Sequence, residues 1–291
     1  MFSLYDGYYI NLDRSPDRRA NMERQFDAFG LGRTYRRFAA IDGATWPPRP
    51  GIRPGERGIF QSHISVLAEG GKSGRPIHIV EDDIILSPYA APAINLIVRN
   101  GVIDQYDLIF SETLVPPDLR ALRQFKSIYD KAMVAGMGFN LARLQIIDLA
   151  TIRFSGATSY VVNPRSVERI LGIYQEHWAK GPVAAFDFVL REEVQAGRLK
   201  AACAFPFVTS IDLDGIVRST AGRLPASPDE VSTGLVMALL RYSFYVGRDL
   251  EFATVTMNQI LERTFGRELD LHRVLIEQAV GFILSDRFNV F

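Results

Sequence analysis

The chain has 291 residues, 47% hydrophobic and 23% charged, which excludes a disordered, collagen-like or charge-rich solvating chain. Lys+Arg and Asp+Glu both total 33, so no global basic field exists to hold a nucleic acid, and no nucleic-acid partner is expected. The single cysteine, Cys203, excludes an internal disulfide and a cysteine-based zinc cage.

The N-terminus does not read as a signal peptide, and no run approaches the roughly 20 apolar residues of a spanning helix. The default location is the cytoplasm, with a membrane surface as the alternative. Tyr8 to Leu12 reads as a buried strand, and Ser15-Pro16 as an N-cap and first helical residue. Met22, Phe26 and Phe29 follow at helical spacing, and Gly30 is the stop. Tyr35 to Ile41 reads as a second strand, and the Pro-, Gly- and Arg-rich stretch Ala44 to Arg57 as a loop. A helix is expected from about Gly58 to Gly70-Gly71, then a short strand Pro76 to Val80. Ala90 to Arg99 reads as a helix, Tyr106 to Phe110 and Thr158 to Val162 as strands, and Pro164 to Leu171 as a helix. Phe205 to Ile211 is strand-like, with Pro206 weakening it or placing it at a sheet edge. Strands alternating with helices predict an α/β sheet.

Residues 225–291 read as a helical C-terminal appendage to a domain of residues 1–224. Ser227-Pro228-Asp229-Glu230 has the form of a capping box for a helix to about Val246. Leu271, Val274, Leu275, Gln278, Phe282 and Ile283 mark another helix. These helices either cap the sheet or serve oligomerisation or membrane-surface docking; the sequence leaves the oligomeric state open.

Four clusters carry candidate chemistry. Glu81-Asp82-Asp83 follows an apolar strand at the end where open α/β sheets bind ligands. If the strand geometry persists, alternation turns Glu81 and Asp83 to one side, where carboxylates suit a hard cation bridging to a diphosphate. A solvated turn or an acidic helix start accounts for the triplet equally well. Asn11 to Arg19 brings polar and basic groups to a helix N-terminus, a pattern that suits phosphate or a plain capped helix. Gly55 to His63 is neither a Walker loop nor a Rossmann fingerprint; its histidine suits a diphosphate, a metal or a backbone carbonyl. Asp187, between Phe186 and Phe188, is either a partly desolvated general base or an N-cap.

Taken in order, these segments resemble glycosyltransferase family 25, the lipooligosaccharide and collagen galactosyltransferases. Tyr9-Ile10-Asn11-Leu12-Asp13 with Arg18-Arg19 looks like the family's opening strand and helix. Phe38-Ala39-Ala40-Ile41-Asp42-Gly43 and Gly55-Glu56 through Ser62-His63 look like its next two segments. Val80-Glu81-Asp82-Asp83 is similar to its acidic motif, and Ser155 to Val162 to the segment before its late helix. Ile59 stands where the family usually has cysteine, and residues 225–291 resemble nothing in its core.

The resemblance implies a GT-A fold, Rossmann-like and nucleotide-sugar-binding. It implies an inverting, metal-dependent hexosyltransferase moving galactose or a similar hexose from a UDP-sugar. The implied acceptor is a glycan or lipid-linked glycan such as lipooligosaccharide, met in the cytoplasm or at the periphery of the inner membrane. It implies Mn²⁺ or Mg²⁺ held by Asp83 and Glu81, with Asp82 supporting the metal shell. Asn11, Arg14, Arg18, Asp42 and His63 join Glu81 and Asp82 as donor-binding candidates. Asp187 is the candidate base and Glu112 the reserve. The other readings are a metal-dependent nucleotidyltransferase-like enzyme and a non-catalytic sugar-nucleotide or glycan-binding protein.

Overall fold

Five strands point the same way through the centre of the molecule, and that direction decides where the functional groups collect. The architecture comes from a computed structural model, which describes residues 3–114, 119–134, 137–213, 228–265 and 281. The strands of the main sheet are β1 (Asp6–Asn11), β2 (Tyr35–Ala39), β3 (Ile77–Glu81), β5 (Leu108–Phe110), β8 (Gln145–Asp148), β9 (Ser159–Val162) and β10 (Ala201–Phe205), ordered β2-β1-β3-β9-β5-β10-β8. β2, β1 and β3 pair in parallel, as do β5 and β10; β9 runs antiparallel between β3 and β5, and β8 antiparallel at the edge. This is the expected α/β sheet. A two-stranded sheet pairs β4 (Ile84–Leu86) with β11 (Thr209–Ile211), and β6 (Met133–Val134) pairs with β7 (Gly138–Phe139).

Alternation along the buried strands builds two cores. Tyr160 and Val162 of β9 face one core while Val161 faces the other. The first core takes Phe60, Ile64 and Leu67 from α2 (Pro54–Gly70), Ile170 and Tyr174 from α5 (Val167–Ala179), and Phe186 and Leu190 from α6 (Phe186–Gln195). The second takes Met22 and Phe26 from α1 (Pro16–Ala28), and Ala93 and Ile94 from α3 (Ala90–Arg99). α4 (Leu119–Ala132) adds Leu122 and Phe125 to the first.

α2 begins at Pro54, several residues before the expected start near Gly58. Pro54 has no N–H to lose at a helix start, and the Glu56 side chain accepts the Arg53 N–H at 3.0 Å, so the apparent loop already contains the first turn. Gly43 and Gly58 let this turn lie against the chain leaving β2. A Cβ on Gly58 would sit 2.5 Å from the Ile41 carbonyl oxygen, and one on Gly43 would sit 2.0 Å from that of Pro54. The run expected over Phe205 to Ile211 divides at Pro206, which has no N–H for a ladder. β10 ends at Phe205, and β11 pairs instead with β4.

Two helices follow the α/β core, α7 (Pro228–Ser243) and α8 (Leu250–Phe265). α7 ends slightly before the expected Val246. It inserts Leu235, Leu239 and Tyr242 into the second core and Leu240 into the first, with Phe244 just beyond it also in the first. α8 adds Ala253, Met257 and Ile260 to the second. Ser227 and the helix expected over 271–283 lie outside the described residues, apart from helical Gly281. Among the described residues no helix is long and apolar enough to cross a membrane.

Candidate active site

Because β1, β3, β5 and β10 run together, Asn11, Glu81 and Glu112 arrive at one edge of the sheet, beside the start of antiparallel β9. Open α/β sheets bind ligands beyond this edge. A cleft of about 610 Å³, counted to its open mouth, occupies it. Its apolar walls come from Ile10, Leu12, Ile41 and Ile59, and its polar lining from Arg14, Arg18, Asp42, His63 and the acidic triplet.

β3 ends at Glu81, so the triplet leaves strand geometry and all three carboxylates border the cleft instead of alternating. Asp82 is tied down: Arg18 Nη1 donates to Oδ1 at 2.9 Å and Asn11 Nδ2 to Oδ2 at 2.6 Å. Asp83 accepts from Arg18 through Oδ2 at 3.3 Å, while its Oδ1 is buried with no hydrogen-bond partner. Glu81 Oε1 lies 3.2 Å from His63 Nε2. Burial, with the Asp82 charge next, pushes the Glu81 carboxyl up to about 8. Burial, with the Glu81 charge next, pushes Asp83 up to about 7, against the pull of Arg18. The triplet is a concentration of negative charge short of counter-charge.

A divalent cation fits this set in one way. Among the described residues no group of three or more His, Cys, Asp or Glu side chains is placed to cage a metal. Glu81 and Asp83 supply two carboxylates, and Mg²⁺-type ions bind through one or two carboxylates completed by water and substrate phosphates. The unpartnered Asp83 Oδ1 is the oxygen best suited to such an ion.

His63 is fully buried, stacked on Phe186 with ring centroids 4.2 Å apart, and its Nδ1 lies 2.7 Å from the Tyr160 hydroxyl. Burial drives its pKa down to about 3, so the ring is neutral. With Glu81 ionised, Nε2–H donates to the carboxylate and Nδ1 accepts from Tyr160. The His63 ring is accordingly expected to take up no proton between about pH 5 and about pH 8, the range in which a free histidine titrates, and its resonances are expected to shift only toward the top of that range, as the bonded Glu81 ionises. A midpoint near the ordinary value in an NMR titration would contradict this environment.

The other expected site residues separate into three groups. Arg14 and Asp42 line the cleft and pair at 2.6 Å, both well exposed. Asn11 is spent inside the fold, donating to Ser15 O and Asp82 and accepting from Arg37 Nε at 2.9 Å. Asp187 does not cap α6: Ala185 holds that position, and Asp187 Oδ2 accepts the Gly156 N–H at 2.8 Å. It lies close enough to His63 and Glu81 for its charge to act on both.

Glu112 cannot act as the reserve base. It is completely buried, and both carboxylate oxygens are taken by the guanidinium of Arg241, with the Thr158 hydroxyl donating to Oε1. Arg241, on α7, was not among the expected site residues. Its signal is its position directly after the apolar run Leu235 to Leu240, since a lone arginine in an apolar helix face is paired when buried.

A family model described as glycosyltransferase family 25 (LPS biosynthesis protein) matches residues 6–189. Two curated relatives, from Drosophila melanogaster and Drosophila pseudoobscura pseudoobscura, are both named glycosyltransferase 25 family member. Each is 32% identical over 124 residues, covering 35% of this chain and 20% of the relative. The match thus spans a fifth of those relatives' length. A solved structure of the galactosyltransferase LgtC in complex with donor and acceptor sugar analogs aligns with 68% of this chain and 72% of its own, at 12% identity and a TM-score of 0.32.

Proposed function

This chain belongs to glycosyltransferase family 25, and on that premise we propose that it moves a hexose, galactose in the first instance, from a UDP-sugar to a glycan acceptor. The acceptor class proposed is lipooligosaccharide or another lipid-linked glycan, met in the cytoplasm or at the periphery of the inner membrane. The observation that carries the reading is the pair Glu81 and Asp83 at the sheet's ligand-binding edge, with Asp83 Oδ1 buried and unpartnered.

In this reading Glu81 and Asp83 hold Mn²⁺ or Mg²⁺. The bound cation supplies neutralisation of the charge that grows on the departing diphosphate. Arg18 fixes Asp82 and Asp83 in place through one guanidinium nitrogen. Arg14, at the cleft mouth, exchanges its exposed Asp42 partner for phosphate oxygens at little cost, because exposed ion pairs are weak. The apolar wall of Ile10, Leu12, Ile41 and Ile59 takes the nucleoside.

Inversion is a single displacement. The acceptor oxygen forms a bond to the anomeric carbon as the bond from that carbon to the β-phosphate oxygen breaks. The acceptor proton passes to Asp187 Oδ1, because Oδ2 is held by Gly156 N–H.

Product analysis tests the activity: UDP and a hexosylated acceptor are expected. Pyrophosphate would point to nucleotidyl transfer, and tight UDP binding without turnover to a binding protein. Asp187→Asn is expected to bind UDP normally and lose about 10²–10⁴-fold in turnover. Near-normal turnover in that variant removes Asp187 as the base.

A further inference from the structure

We infer that Arg241 of α7, outside the family-matched span, is a positioning residue for this site, clamping the strap of residues 155–158 that joins Asp187 to Glu81. The inference rests on the glycosyl-transfer reading above.

The strap has functional groups at both ends. At one, Gly156 N–H holds Asp187 Oδ2 at 2.8 Å; at the other, the Thr158 carbonyl accepts the Glu81 N–H at 2.8 Å. Arg241 grips it between them. Its Nη2 donates to Thr158 Oγ1 at 2.5 Å, and its guanidinium forks onto Glu112, which also accepts from Thr158. Gly156 has a φ of +84°, and a Cβ there would stand 3.4 Å from Arg241 Nη2, so the strap passes directly against the guanidinium. A second set of bonds ties Ser155 to Leu114 in both directions and to the Thr113 hydroxyl.

Stability alone does not account for this arrangement. A buried ion pair gives little net stabilisation over well-packed apolar side chains of similar volume. A forked arginine–carboxylate pair supplies fixed direction. Here that direction sets the strap whose Gly156 N–H holds Asp187 relative to the carboxylate edge, and a misplacement of about 1 Å costs roughly 100-fold in rate.

The test is the charge-neutral double variant Glu112→Leu with Arg241→Met, in the full chain. UDP release from UDP-galactose with Mn²⁺ is measured per UDP-binding site counted by calorimetry. The expected result is a Tm near that of wild type, UDP affinity within about threefold, and kcat lower by about 100-fold. A folded double variant with wild-type kcat overturns the positioning role.

Should the double variant not fold, Thr158→Val removes the grip and leaves the ion pair. It is expected to lower kcat at unchanged UDP affinity, and an unchanged kcat overturns the role. Wild type that releases no UDP overturns the parent reading, and this inference with it. Wild type that turns over beside an equally active variant overturns the positioning role alone.

Discussion

Asp83→Asn is expected to make the protein more heat-stable above neutral pH while removing most of its activity. The Asp83 carboxyl is raised from 3.8 to about 7, chiefly by burial and then by Glu81. A group raised in the folded state contributes stability that is fully present below its unfolded value and lost as pH rises through the folded value. Wild type without ligands is therefore expected to lose stability from about pH 4 to about pH 8. Asp83 accounts for the part ending near 7, and Glu81 for the part ending near 8. An amide at position 83 cannot ionise, and it can still accept from Arg18 through its oxygen. The gain at pH 8 is on the order of 4 kcal/mol, with none expected at pH 4. Turnover is expected to fall about 10²–10³-fold, the range for losing one group that stabilises developing charge. Melting curves at the two pH values, beside UDP-release rates, check both signs. A variant less stable than wild type at pH 8 would contradict the crowded-carboxylate account.

Arg241→Ala on its own is expected to be the most destabilising single change among the site residues. It leaves Glu112 fully buried with its counter-charge gone and the Thr158 hydroxyl as its remaining donor. Breaking a buried pair by removing one partner costs about 3–5 kcal/mol. For a chain of this size that lowers Tm by on the order of 10 °C. The double variant Glu112→Leu with Arg241→Met removes both charges and is expected to recover most of the loss. A shift below about 2 °C for Arg241→Ala would show that water or another group compensates Glu112. Through this pair α7 is tied to Glu112 and reaches the strap beside the candidate site.

The parts of the fold legible from the sequence were those with long, unambiguous patterns. The mainly apolar β3 running into three carboxylates marks the cleft edge, and Ala90 to Arg99 is a helix, as its pattern predicts. α2 starts earlier than its pattern predicts because Pro54 and Gly55, loop-formers in isolation, fill the first turn of a helix. β4 and β8 have only three and four residues, too few to show a period.

At the site, the sequence pattern located the carboxylates without showing their partners. Alternation does not distinguish Asp82 from Asp83, because both lie beyond the strand. What separates them is Asn11, which holds Asp82 and leaves Asp83 Oδ1 unpartnered. The two phenylalanines beside Asp187 were equivalent in the sequence. On the helix Phe186 is buried against His63 and Tyr174, whereas Phe188 is exposed beneath Arg191. Glu112 and Arg241 are 129 positions apart, a pairing no local pattern reveals.

The most direct measurement is a thermal shift of wild type and Asp83→Asn with UDP and UDP-galactose, each with and without Mn²⁺. A ligand that binds only the folded state at a hundredfold excess over its dissociation constant adds about 2.7 kcal/mol. The predicted result is a Mn²⁺-dependent stabilisation by both UDP ligands in wild type that is absent in Asp83→Asn. A folded wild type that no UDP ligand stabilises, or equal stabilisation of both proteins without Mn²⁺, would contradict a cation-assisted UDP-sugar site at the acidic triplet.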